Sequence, residues 1–112
     1  MIDSFRWLVS KFTRRGKALW HYRRGMQHAN AKEYADAIRA YSVVIEIPAC
    51  PVDVTAMARY NRALAYATTG EDAAAVGDLE CVLAMPQRLE AIKAACRQRL
   101  FRMHNHSDRK RV

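Results

Sequence analysis

Apolar side chains recur every three or four residues along most of the chain, which is the spacing of one face of a helix. Near the end of the chain this face consists of Leu89, Ile92, Cys96, Leu100 and Met103. A similar apolar face, which we call the N-terminal stripe, lies at the start of the chain. No segment alternates apolar and polar residues with the period of two that a strand requires. The pattern therefore predicts an all-α fold.

Prolines and turn residues divide the pattern into helices. Because proline lacks the backbone N–H and clashes inside a helix, Pro48, Pro51 and Pro86 mark boundaries. After the N-terminal stripe, helices are predicted over about 17–29, 33–47, 54–68, 71–84 and 86–103. Asp53 is expected to cap the third of these. We divide the chain into an amphipathic basic helix (1–16), a helical domain with a C-terminal capping helix (17–104) and a basic flexible tail (105–112).

The chain also matches itself at an offset of 38 residues. Each unit is a helix, a short turn, a second helix and a proline, and self-similarity at such a period indicates stacked helical hairpins. The matching pairs include Ala18 with Ala56, Tyr22 with Tyr60, Arg24 with Arg62, Gly25 with Ala63, Ala37 with Ala75, Ile38 with Val76 and Pro48 with Pro86.

These units resemble the tetratricopeptide repeat over about residues 18–86. The resemblance rests on the small residues Gly25 and Ala37 in the first unit, on Ala63 and Ala75 in the second, and on aromatic residues beside them. The family's period is about 34 residues. The extra length is expected in the loop 48–54. The motif describes how the helices of a hairpin pack, so it implies the fold more strongly than the activity.

The resemblance implies a concave groove, lined by the first helices of the hairpins, that binds a peptide. The groove residues would be Tyr22, Arg23, Met26, Tyr60, Asn61, Leu64, Lys93 and Arg97. The segment 61–66 is similar to the second repeat of co-chaperones that grip a C-terminal carboxylate, and Asn61 matches their asparagine. Lys93 and Arg97 lie about three residues later than that pattern expects. We therefore expect a non-enzymatic adaptor for an acidic or C-terminal peptide.

Charge adds alternatives to this interpretation. The 112 residues include 19 Lys and Arg against 11 Asp and Glu, a net charge of +8. All of this excess lies in residues 1–25 and 88–112, whereas 26–87 is mildly acidic. Such basic ends are compatible with nucleic-acid binding, although the sequence contains no groove-reading motif.

The N-terminal stripe allows three interpretations. Phe5, Trp7, Leu8 and Phe12 alternate with basic residues. The segment can cap the first hairpin, it can dock on a partner or a second copy, or it can lie on an anionic membrane surface.

Other chemistry is poorly represented. Cys50, Cys81 and Cys96 form no metal or disulfide pattern, which favours a reducing, cytoplasmic location. No phosphate-binding loop, nucleophile elbow or zinc-protease motif is present. We therefore expect no enzyme activity, no cofactor and no metal.

Overall fold

The structure, a computed structural model, describes residues 13–110, and throughout that range the only repeating secondary structure is α-helix. This confirms the all-α prediction. The helices are α1 (Arg14–Asn30), α2 (Tyr34–Glu46), α3 (Val52–Thr68), α4 (Asp72–Ala84) and α5 (Glu90–Lys110). The predicted stripe from Ile2 to Phe12 lies outside the described residues. Within 13–110, none of the helices combines the length and the apolar character that crossing a membrane requires.

The repeat offset of 38 holds for every helix start that it can test. α1, α3 and α5 start at residues 14, 52 and 90, and α2 and α4 start at 34 and 72. Besides its hairpin partner α4, α3 packs more on α2 than on α1, and α5 likewise packs more on α4 than on α3. Ala58 of α3 and Cys96 of α5 occupy equivalent positions, and both are fully buried. α5 is therefore equivalent to α1 and α3, the first helices of the two hairpins, and it lies in the same register. It is also the helix that was predicted to cap the domain.

Local capping explains where the helices begin. Thr13 accepts a hydrogen bond from the Gly16 N–H at 2.9 Å, which starts α1 three residues earlier than predicted. The predicted cap at Asp53 is wrong. α3 begins at Val52 after Pro51, and Asp53 lies inside the first turn. There it receives two hydrogen bonds from Arg15, at 3.0 and 3.3 Å.

The two hairpins close through complementary side-chain sizes. Gly25 of α1 lies against the ring of Tyr41, which is 1% exposed. A Cβ at Gly25 would come within 2.4 Å of that ring, so only glycine fits. At the equivalent positions the second hairpin has Ala63, which is larger than glycine, and Leu79, which is smaller than tyrosine. Burial raises the pKa of Tyr41 to about 12, with a smaller contribution from Tyr22.

The C-terminal helix departs from the prediction at its far end. The capping helix was expected to stop near Met103, but α5 continues to Lys110 and includes much of the segment predicted to be a flexible tail. Its apolar side, including Ile92, Leu100 and Met103, packs on the core formed by Leu79 and other residues of the second hairpin. This packing stabilises α5 as far as Met103, and the exposed residues 104–107 continue the helix beyond the core.

Candidate functional site

The first helices α1 and α3 lie side by side and run in the same direction. Arg15 and Asp53 are repeat equivalents, and their side chains form a salt bridge at the start of the two helices. Further along, the side-chain amide of Asn61 donates a hydrogen bond to the hydroxyl of Tyr22 at 3.0 Å. Contacts at both points hold the two helices in register. Two of the residues predicted for the groove are therefore brought into direct contact.

The Tyr22–Asn61 contact determines which groups remain for a ligand. The Asn61 amide also donates to the backbone carbonyl of Met57 at 2.9 Å, so both of its N–H groups are used. The Tyr22 hydroxyl accepts from Asn61 and keeps its own O–H as a donor. Burial raises the pKa of Tyr22, while the bond from Asn61 opposes that shift. At this contact the O–H of Tyr22 is thus the remaining donor, and Asn61 orients the Tyr22 hydroxyl.

The structure also locates the predicted Lys93 and Arg97. The ammonium of Lys93 donates to the carbonyl of Met85 at 2.5 Å, so this residue fastens α5 to the end of α4. Arg97 is exposed and is the repeat equivalent of Arg59, which points toward α4. The sequence analysis chose both residues because they lie four residues apart and carry the expected positive charge, although they lie about three residues further from Pro86 than the pattern expects.

The register of the third helix indicates other residues for this role. A further offset of 38 from Tyr60, Asn61 and Leu64 leads to Gln98, Arg99 and Arg102. We use the term first-helix face for the equivalent positions of α1, α3 and α5, which are Tyr22, Arg23, Met26, Tyr60, Asn61, Leu64, Gln98, Arg99 and Arg102. The missed signal was available in the sequence, because the offset that relates the first two units also applies to α5.

The first-helix face combines basic and apolar groups that water can reach. Arg23 and Arg102 are exposed, and Met26 is 41% exposed. Tyr60 and Leu64 are half-buried between them. Such a face can contact apolar side chains and donate hydrogen bonds to carboxylates.

A cleft adjoins the C-terminal part of this face. Its volume is about 560 Å³, and its walls include Arg99, Arg102 and Phe101 of α5 with Ala67 and Asp72 from the turn between α3 and α4. Phe101 is 66% exposed. Two arginines against one aspartate make the cleft predominantly basic.

A buried ion pair on the other side of α3 escaped the sequence analysis. Asp78 of α4 is 4% exposed and accepts two hydrogen bonds from Arg62, both at 2.7 Å, and one from Arg59 at 3.1 Å. Arg62 also donates to the hydroxyl of Ser42 in α2 at 2.9 Å. Asp78 and Arg62 lie 16 residues apart, so no local spacing pattern signals the pair. This network joins α2, α3 and α4.

One cluster among the described residues has the composition of a metal site. His28, Glu33 and Asp36 each place a possible ligand atom within 4.8 Å of the others. Asp36 is already paired with the guanidinium of Arg39, and Glu33 lies 3.4 Å from the His28 ring. The positive charge of Arg39 at this place opposes a second cation, and we assign no metal to the cluster.

Comparisons with protein-family models, curated proteins and solved structures find no match to this chain. Statements about function therefore depend on the geometry described above.

Proposed function

We propose that the protein is a non-enzymatic adaptor of the tetratricopeptide type that binds an acidic protein segment on its first-helix face. The observation that carries this proposal is the common register of α1, α3 and α5, whose start positions repeat at 38 residues. This register supports a continuous face with Arg23, Asn61 and Arg99 at equivalent positions. Two arginines flanking a polar residue favour a ligand with several carboxylates.

The expected binding mode uses both kinds of group on the face. Arginine forms strong, charge-assisted hydrogen bonds with carboxylates, so Arg23, Arg99 and Arg102 would fix the acidic side chains of the segment. The Tyr22 hydroxyl would add a neutral donor, held in place by Asn61. Met26 would contact apolar side chains of the same segment.

The proposal is tested by the affinity of the full chain for a short fluorescein-labelled oligoglutamate, measured by fluorescence anisotropy. We expect the double change Arg99→Glu and Arg102→Glu to weaken binding at least about tenfold, because a hydrogen bond to a charged group contributes about 1.5–3 kcal/mol. The matched control is Arg14→Glu with Arg88→Glu, which makes the same change in net charge at two other exposed arginines.

Equal weakening by both pairs would overturn the proposal, because binding would then follow net charge alone. An oligoglutamine of the same length serves as the uncharged reference. Tighter binding of a short single-stranded RNA than of oligoglutamate would also contradict the proposal and favour a nucleic-acid partner. Tight binding to anionic lipid vesicles that depends on residues 1–12 would favour a membrane surface instead.

A further inference from the structure

The first hairpin lacks a carboxylate that the second hairpin carries at the equivalent position. In the second hairpin, Asp78 is held by Arg59 and Arg62. An offset of 38 residues relates these three residues to Ala40, His21 and Arg24. Alanine has no polar side-chain atom, so the acid is missing while basic groups are present at both equivalent positions.

A cavity occurs where the missing carboxylate would lie. Its volume is about 260 Å³, and His21, Arg24 and Ala40 are all part of its lining. One water molecule takes up about 30 Å³ of the liquid, so a cavity of this size has room for a carboxylate group. Val43 adds an apolar surface beside the basic groups and is 38% exposed. We call this space the Ala40 cavity.

The basic groups that line the Ala40 cavity differ in whether they already have a carboxylate partner. Arg39 is paired with Asp36. Arg24 places its guanidinium carbon 5.0 Å from the centre of the Trp20 ring, and a cation–π contact of this kind provides no oxygen acceptor for the guanidinium N–H groups. Within residues 13–110, neither Arg24 nor His21 donates a hydrogen bond to a carboxylate. Arg24 and His21 are therefore the donors that an incoming acid would meet.

The electrostatic environment of His21 agrees with this arrangement. Its pKa is lowered, first by partial burial and then by the nearby charges of Lys17 and Arg24. The last two contributions are repulsion between the protonated ring and two cations of its own helix. The Asp36 carboxylate across the cavity is neutralised by Arg39. An anion that entered the cavity would relieve this repulsion.

We propose that the Ala40 cavity binds a carboxylate side chain of a partner protein, with Arg24 as the main donor and His21 as the second. The second hairpin provides the model for the contact, because Arg62 holds Asp78 with two hydrogen bonds of 2.7 Å. Tyr22 lies two residues before Arg24, which is about 200° around the helix, so the cavity and the first-helix face are separate sites. The proposal does not depend on binding at the first-helix face.

The first test supplies the missing acid within the chain. In the full-length protein, Ala40→Asp is expected to raise the pKa of His21 by about one unit, since an opposite charge within about 4–6 Å favours the protonated ring. Ala40→Asn is the matched control, because it has nearly the same size and no charge. The measurement is an NMR titration of the His21 ring signals. The same His21 pKa in the Asp and Asn variants would overturn the proposal.

The second test uses the wild-type chain and does not depend on how a variant folds. The probes are glutamate and glutamine, each with blocked amino and carboxyl ends. We expect blocked glutamate to shift the His21 and Arg24 side-chain signals, blocked glutamine to leave them unchanged, and Ala40→Asp to abolish the glutamate effect. A response to inorganic phosphate but not to glutamate would overturn the proposal, as would a glutamate response that appears only after residues 1–12 are removed.

Discussion

At the scale of single residues, the protein combines an unusually close backbone contact with a buried charge. Gly25 allows α1 to approach Tyr41, and Asp78 lies almost completely buried between two arginines. Both features join neighbouring helices. Their contributions to stability differ in kind, because the first is a matter of shape and the second of charge.

Replacement of Gly25 by alanine should destabilise the protein by about 1–3 kcal/mol, since the buried Tyr41 ring leaves no space for a methyl group. Gly77 provides the matched control. It also lies within a helix, but a Cβ there would meet nothing within 4 Å. Gly77→Ala should stabilise the protein by about 1 kcal/mol through helix propensity. Urea unfolding of both variants measures the difference, and equal effects would contradict the packing described for α1 and α2.

Removal of the Asp78 carboxylate should have a larger effect. Asp78→Ala leaves Arg62, which is 17% exposed, without its main partner, and breaking a buried ion pair costs about 3–5 kcal/mol. Asp36→Ala removes an exposed pair with Arg39 and should cost less than about 1 kcal/mol. If the two variants unfold at the same urea concentration, Asp78 does not have the structural role assigned to it.

At the scale of helices and turns, the equivalent turns of the two hairpins have different residues at the position with positive φ. The turn after α1 has Lys32 at a φ of 61°, and the turn after α3 has Gly70 at a φ of 84°. In both turns a backbone N–H closes onto the preceding helix at 2.8 Å, from Glu33 to His28 and from Glu71 to Tyr66. Only the second turn uses the residue that adopts positive φ without strain.

The first turn can therefore be improved by copying the second. Lys32→Gly should stabilise the protein by about 1 kcal/mol, because a side chain in the left-handed region costs about 1–2 kcal/mol. Lys32→Ala is the control and should bring no such gain, since it removes the charge and keeps the Cβ. The thermal unfolding midpoint of the three proteins distinguishes them. A glycine variant no more stable than the alanine variant would show that the turn is not strained.

The sequence predicted the helices well because their signals are local. Apolar spacing and prolines define helix interiors, and the offset of 38 predicted the hairpins before their contacts were known. Helix ends were less accurate at Thr13 and Asp53, since a cap depends on which side chain reaches the free N–H groups. The Asp78 network and the Tyr22–Asn61 bond depend on contacts between helices, so no pattern along one helix could identify them.

The residues of the candidate site were also predicted with unequal accuracy. Tyr22, Arg23 and Asn61 were identified from the repeat, whereas Lys93 and Arg97 were chosen for their spacing of four residues and their positive charge. The structure gives Lys93 a partner at Met85 and leaves Arg99 in register with Asn61. A difference of a few residues turns a helical position to another side, so spacing and charge alone could not choose between these residues.

At the scale of the whole molecule, the described chain is elongated, with principal extents of 61, 32 and 20 Å. Two hairpins and α5, which is equivalent to α1 and α3, are arranged along its length. At the position where α1 has Gly25 and α3 has Ala63, α5 has the much larger Phe101. A second helix could not approach α5 as closely as α2 approaches α1. A helix packed on α5 would therefore need a wider spacing, and within residues 13–110 the first-helix face consists of three helices.

The central claim is that an acidic segment binds this three-helix face. It is tested most directly by recording the side-chain signals of Asn61 and Arg99 by NMR while unlabelled oligoglutamate is added to the full chain. We expect both residues to shift with the same saturation curve, because they lie on α3 and α5 in one register, and we expect oligoglutamine to shift neither. Saturation of the protein with oligoglutamate while the Asn61 and Arg99 signals stay unchanged would contradict the account.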